Sequence, residues 1–372
     1  MINKFALKNF KCLKDTGSLE LGRINLLTGI NGKGKSSFLQ ALIVLSQSWR
    51  EGKYSMLLPN IETGVQLGSF EDILSTDAED RNIVLSLSMI NNDTIDSYEL
   101  KYEQSSDPSL GELISFVFNG KEMKEESSEE STALNEIIEN DGSQSGASET
   151  VDSYPELMSL KNLYSISANR IPAQYKFIPS PFGDIRLYSD GSNVVKFIHD
   201  FDEEKMQILN DLLVNIFGSS TIKVIDKGEF YELTIDSKSN SRHLYRPENV
   251  GYGYSYILSL ITALMITDEN GYLIIENPEA HLHPHAQSQV MAVIIDNALK
   301  RNIQVFIETH SDHIVNAAQI AVKTREDFSN NDLQILFFDD TIENLQITPK
   351  GRILSPPEHF CDQYSKDLDV LY

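Results

Sequence analysis

Gly29, Gly34, Lys35 and Ser36 stand in the spacing G-x-x-x-x-G-K-S/T within the stretch "LLTGINGKGKSSFLQAL". Glycines let a loop wrap until successive backbone N–H groups point at phosphate oxygens. A lysine at this place reaches the terminal phosphates, and the serine hydroxyl is set to meet a magnesium ion. A helix starting near Lys35 adds its positive end to the same anion. The spacing predicts a polyphosphate cradle.

A cradle of this kind needs a strand before it and a helix after it. "RINLLTG" reads as a buried strand, and "SSFLQALIVLSQSW" carries apolar residues at helical spacing. It also needs a carboxylate at the end of a neighbouring strand to hold magnesium through water. "YLIIENPEAHLHP" supplies one: Leu273, Ile274 and Ile275 lead to Glu276, then Asn277, Pro278 and Glu279. "NIQVFIETH" is a second short buried strand, ending at His310, and each of the two precedes a helix in the manner of a parallel sheet. Earlier, "INKFALKNFKCLKD", "GSLELGRINLLTG", "NIVLSLSMI" and "SYELKYEQ" alternate like strands of a curled antiparallel sheet. "NLYSISANRIPAQYKF" adds a strand and a turn at Pro172. Residues 191–217 read as helical with Gly218 as a stop, "IKVIDKGEFYELTID" as a hairpin around Lys227-Gly228, and "GYSYILSLITALMI" as an apolar helix.

The whole chain sets bounds on these readings. It has 372 residues, 41% of them hydrophobic, enough for a large core and about two domains. It contains no 18-residue apolar span and no signal-peptide core near Met1, so no membrane attachment is expected. Cys12 and Cys361 lie far apart, which fits a reducing cytoplasm rather than a disulfide framework. The formal charge of −24 opposes general affinity for polyanions. Yet 17 of the 55 acidic residues fall within 91–160 against three lysines, so a basic groove elsewhere, and with it a nucleic-acid partner, stays open. That segment includes the Ser- and Glu-rich stretch 121–153, which reads as an exposed insertion. His281, His283 and His285 alternate as zinc ligands on a strand do, but Pro284 interrupts them, and a loop is the expected reading.

The stretches "FALKNFKCLKD", "LLTGINGKGKSS", "VQLGSFEDIL", "SANRIPAQ", "NVGYGYSYIL", "LIIENPEAHLHP" and "VFIETHSDHIVN" together resemble an ABC-type ATPase head. Such heads occur in RecF, the SMC proteins, the OLD nucleases and the Septu anti-phage ATPases. The tail "QITPKGRILSPPEHFCDQYSKDLDVLY" is similar to a small C-terminal domain of unknown function found in one bacterial subgroup. The resemblance covers nearly the whole chain except the acidic insertion and residues 190–245. It implies an α/β fold with a mixed central sheet, a curled antiparallel β lobe and a helical lobe carrying the signature motif. It further implies that Asn31, Gly32, Lys33, Gly34, Lys35, Ser36, Ser37 and Gln66 bind ATP, with Ser36, Gln66 and Glu276 on Mg2+. Asn249, Gly251, Gly253 and Ser255 would form the signature that meets the ATP of a second copy. Glu276, Glu279 and the switch histidine His310 would be catalytic.

Two residues depart from the pattern. Such heads usually end this strand in Asp-Glu; here Asn277 takes the glutamate's place, and an amide cannot accept a proton. Glu279 is the substitute this leaves, and slow turnover or a long-lived ATP-bound state is the alternative. The signature is not Leu-Ser-Gly-Gly-Gln, and Tyr256 stands where related heads often have glutamine. The implied assembly is a homodimer closed by ATP that controls a separate effector or nuclease subunit in anti-phage defence or DNA maintenance. The expected segments are 1–90 (β lobe and phosphate loop), 91–165 (strands and acidic insertion), 166–248 (strand and helical lobe), 249–345 (signature, metal carboxylate and switch histidine) and 346–372 (C-terminal domain). A nuclease centre of the OLD type needs a further metal-binding domain, for which Asp339-Asp340 is a weak substitute.

Overall fold

In "INKFALKNF" the polar–apolar alternation folds as strand β1 (Ile2–Phe10), burying Ile2, Phe5, Leu7 and Phe10 completely. The computed structural model describes residues 1–371 apart from 52–53, 59–64, 92–93, 124–153, 181–185, 219 and 237–243. Most of the acidic insertion therefore lies outside the described residues. After β1 come β2 (Leu13–Asp15), β3 (Leu19–Glu20), β4 (Ile24–Gly29) and helix α1 (Lys35–Arg50), then β5 (Met56–Leu57) and α2 (Phe70–Ile73). Three longer strands follow, β6 (Asn82–Asn91), β7 (Thr94–Gln104) and β8 (Leu110–Phe118), with β9 (Lys121–Met123) behind them. These strands build an antiparallel sheet in the order β2-β1-β6-β7-β8-β5, with β3 on β1 and β9 on β8.

The chain resumes with α3 (Pro155–Met158), β10 (Tyr164–Ile166) and β11 (Lys176–Phe177). The expected single helix over 191–217 is two, α4 (Val194–His199) and α5 (Glu203–Phe217). The break has a local cause: Asp202 caps α5 by accepting the Lys205 N–H at 2.8 Å, which takes residue 202 out of helical geometry. Gly218 ends α5 in the left-handed conformation, φ 79°. Strands β12 (Thr221–Asp226) and β13 (Tyr231–Asp236) form the hairpin expected around Gly228, and with β11 make a small sheet.

The remaining elements are α6 (Tyr252–Ile266), β14 (Tyr272–Glu276), α7 (Pro284–Lys300), β15 (Gln304–Glu308), α8 (Asp312–Thr324), β16 (Leu333–Phe338), β17 (Ile342–Asn344) and α9 (Gln363–Leu371). The central sheet runs β10-β14-β15-β4-β16-β17. Its first five strands are parallel and β17 is antiparallel. β10 is thus part of the central sheet, and the boundary expected at 165/166 falls inside it. Apolar runs such as Leu273–Ile275 and Val305–Ile307 are buried because both faces of this sheet are covered. On one face lies a core with α6 and α7; on the other, α1 fills the space beneath the antiparallel sheet. Phe38 of α1 sits edge-on to Phe5 at 5.1 Å and to Phe338 at 6.1 Å, tying the two sheets to the helix that begins at the phosphate loop.

Candidate functional site

The carboxyl ends of β14, β15, β4 and β16 lie side by side, the place where parallel sheets bind ligands. Gly29 closes β4 with φ 121°, and a Cβ there would lie 2.2 Å from the Phe338 carbonyl oxygen. Gly34 precedes α1 with φ 101°, and a Cβ would lie 2.4 Å from Leu13 Cδ2. Both positions therefore demand glycine, and the loop between them turns tightly over the start of α1. Asn31, Gly32 and Ser36 are exposed, Lys33 and Ser37 half-buried, and Gly34 and Lys35 buried. The Lys35 ammonium donates to the carbonyls of Gly29 (3.1 Å) and Ile30 (2.9 Å). Burial lowers its pKa, and the nearby Glu308 carboxylate acts the other way. Lys33 turns outward and pairs with Asp340 at 2.5 Å.

One carboxylate meets this loop, and a second ends the strand beside it. Glu276 and Glu308 end neighbouring strands in direct register. The Ser36 hydroxyl lies 2.8 and 3.1 Å from the two oxygens of Glu308. Glu276 Oε2 accepts the Ala168 N–H at 2.9 Å. Burial raises the Glu276 pKa above the ordinary carboxylate value; the Ala168 N–H opposes this, and the charge of Glu308 adds to it. Gln66 shares a cavity of about 180 Å³ with Glu276, Gln40, Ser165, Ser167 and Asn169. On the opposite side of the loop, a groove of about 720 Å³ is lined by Cys12, Thr16, Gly32, Lys33, Asp339 and Asp340.

The segment after β14 is held from two directions. Arg170 donates to the carbonyls of Ser167 (3.1 Å), Glu276 (2.6 Å) and Asn277 (2.7 Å). Asn277 takes φ 46°, a conformation asparagine tolerates well, and its N–H donates to the Glu308 carbonyl at 2.8 Å. Glu279 is engaged at both oxygens: Oε1 accepts the His310 N–H at 2.8 Å and Oε2 the Thr309 hydroxyl at 2.9 Å. His310 itself is exposed. The three histidines beyond Glu279 have separate tasks. His283 caps α7 by accepting the His285 N–H, while His281 packs on Tyr256 with ring centroids 4.4 Å apart.

The signature candidates open α6. Asn249 and Gly251 are exposed, whereas Gly253 and Ser255 are buried. A Cβ on Gly253 would lie 2.9 Å from the His281 carbonyl oxygen, so this glycine serves the packing of α6 against the loop after β14. The side chain most exposed at this helix start is Tyr252, at 66%.

The sequence model of a protein family described as "AAA domain, putative AbiEii toxin, Type IV TA system" matches residues 24–316. The chain belongs to this AAA family. The match runs from β4 through the start of α8 and so contains the phosphate loop, Glu276, Glu279, Glu308, His310 and the start of α6, but not β16. A curated relative of this AAA protein, an uncharacterized protein of Methanocaldococcus jannaschii, is 31% identical over 65 residues. That stretch is 18% of this chain and 54% of the relative, so the chain spans about half the length of the curated relative it matches. Among solved structures, an SMC head bound to the C-winged helix domain of ScpA shares 13% identity, with 93% of this chain and 97% of that one covered and a TM-score of 0.51. An SMC head domain from Thermotoga maritima shares 12% identity over 93% of this chain and 99% of that one, with a TM-score of 0.49. The fold of this AAA protein is that of an ABC-type ATPase head.

Two residues of the AAA site escape a motif search. Arg170 is a lone arginine before Pro172, and its task is visible only once β10 lies beside β14. Glu308 left a trace: "LIIE" and "VFIE" end in the same residue, and parallel neighbours in register bring like positions together.

Proposed function

We propose that this AAA protein is a magnesium-dependent ATPase whose two copies close around ATP and so control a separate effector subunit. The observation that carries the reading lies at the start of α1, where the Ser36 hydroxyl meets the Glu308 carboxylate, whose charge acts on Lys35 and whose partner on the next strand is Glu276. Ser36, Gln66 and Glu276 would hold Mg2+: a hydroxyl, an amide oxygen and a carboxylate are the hard oxygen donors this ion takes. Bound there, Mg2+ supplies neutralisation of charge on the terminal phosphates. Asn31 to Ser37 wrap the phosphates through backbone N–H groups, and Lys35 moves its ammonium from the loop carbonyls to phosphate oxygens. His310, exposed just beyond β15, would hydrogen-bond the terminal phosphate. With both oxygens engaged, Glu279 is proposed to fix the Thr309–His310 turn rather than to take a proton.

Asn249, Gly251 and the neighbouring Tyr252 are the signature groups available to a second copy. Hydrolysis within such a dimer would act as a switch, with ATP closing it and cleavage opening it. The family description, which names a toxin–antitoxin system, favours a defence setting in which the effector is a nuclease or toxin. An SMC head of similar fold is bound by a winged-helix domain of ScpA, in keeping with a head that works through a partner. Asn277 favours a second reading, a nucleotide-gated scaffold with little turnover.

Calorimetry with ATP and magnesium tests the proposal. Uptake by the wild type and its loss in Lys35→Ala are expected; equal uptake by both proteins overturns the reading. Phosphate release, measured alone and with DNA, separates the switch from the scaffold.

A further inference from the structure

The reading above gives Glu308 no task of its own. Its residue is 8% exposed, and among the described residues Ser36 is the one hydrogen-bond donor to its carboxylate. A hydroxyl gives a single hydrogen, whereas an ionised carboxylate offers about four acceptor positions. A buried carboxylate served so sparsely is costly unless something else meets it. The Glu308 backbone sits between two functional strands. It pairs with Leu27 of β4, two residues before the phosphate loop begins, and with Glu276 of β14. Glu308 and the half-buried Glu276 thus end neighbouring strands side by side, and the side chain touching Glu308 is the loop serine.

Other tasks for Glu308 fit less well. Glu279 already bonds the Thr309–His310 turn that follows β15, so Glu308 is not needed to hold it. Lys35 bonds two carbonyls of its own loop and no carboxylate. The open lone pairs of Glu308 are matched by a cation and its water shell.

We infer that Glu308 is a second carboxylate of the divalent-cation site, fixing the Ser36 hydroxyl and accepting from cation-bound water beside Glu276. The inference rests on the nucleotide reading above. It makes the protein's hold on ATP depend steeply on the cation, because two neighbouring carboxylates oppose a bare triphosphate. Neutralising Glu308 should flatten that dependence.

The test is calorimetry of the full chain with ATP, with and without MgCl2, together with Mn2+ binding followed by electron paramagnetic resonance in the presence of ADP. In Glu308→Gln, Mn2+ affinity is expected to fall about 10- to 100-fold, the loss typical of a supporting carboxylate at a metal. Binding of metal-free ATP is expected to hold or improve, and Glu308→Asp, which keeps the charge, should retain most of the cation dependence. Unchanged Mn2+ affinity in Glu308→Gln overturns the inference, even if turnover vanishes, since Glu308 then acts on the reaction and not on the cation. Equal loss in Asp and Gln variants with a lowered melting temperature also overturns it, as damage to the fold. A wild type that takes up no Mg-ATP overturns the proposed function itself and this inference with it.

Discussion

Arg170 Nη2 lies 2.7 Å from the carbonyl oxygen of Asn277, the residue that follows the strand-end Glu276. The same guanidinium holds the Glu276 carbonyl. The carboxylate strand is therefore anchored from the segment that follows β10, more than a hundred positions away. In Arg170→Met, three partly buried carbonyls lose their donor. The expected loss of stability is about 3 kcal/mol, read from urea denaturation. Arg170→Lys should recover only part of it, since an ammonium cannot reproduce the planar fork. A loss within error of zero would show the grip to be incidental.

The phosphate loop makes a graded prediction. Gly29→Ala places a Cβ 2.2 Å from the Phe338 oxygen at φ 121° and should cost more than about 3 kcal/mol or prevent folding. Gly32→Ala, at φ 77° with open space around it, should cost only about 1 kcal/mol. Thermal melts of the two variants check the order, and equal costs would contradict the backbone geometry.

That glycine pattern was legible in the sequence, as were the strand and helix on either side of it, because all three are local. The Gly228 hairpin was readable for the same reason. The break at Asp200–Asp202 was harder: the apolar spacing runs on across it, and only the cap at Asp202 reveals two helices. Ser255 reads as a signature residue open to a second copy, whereas it is buried, and the close approach of neighbouring Gly253 to the His281 carbonyl, nearly thirty residues on, is a contact no local pattern carries. The bond between Ser36 and Glu308 spans 272 positions, and no local spacing could announce it. Sequence patterns carry local turns and periodicities well; contacts between parallel strand ends depend on sheet order, which the chain decides late.

If Glu279 works through the His310 turn, its effect should not add to that of His310. Turnover should fall in Glu279→Ala and in His310→Ala, while the double variant loses little more than the worse single one. A coupling of about 0.5–3 kcal/mol in the double-mutant cycle is expected. Strict additivity would return Glu279 to an independent role.

Glu276 gives a pH signature. Its folded pKa is raised above the ordinary 4.5, so its contribution is fully present below that value and is lost as pH rises through the folded pKa. Above it, the fold carries an unwanted buried charge. In cation-free protein, Glu276→Gln should therefore raise the melting temperature at alkaline pH, and the gain should shrink as pH falls toward the ordinary carboxylate range. A gain that grows on acidification would reverse the sign and reject the assignment.

β4 lies inside the central sheet although it is made long before its neighbours there: its flanks are β15 and β16, which end at Glu308 and Phe338. A ribosome must release about three hundred further residues before β4 has both neighbours. Until then its apolar residues need shelter, and the loop that follows β4 lacks Glu308 beside it. Synthesis itself thus delays the site until β15 and β16 have emerged.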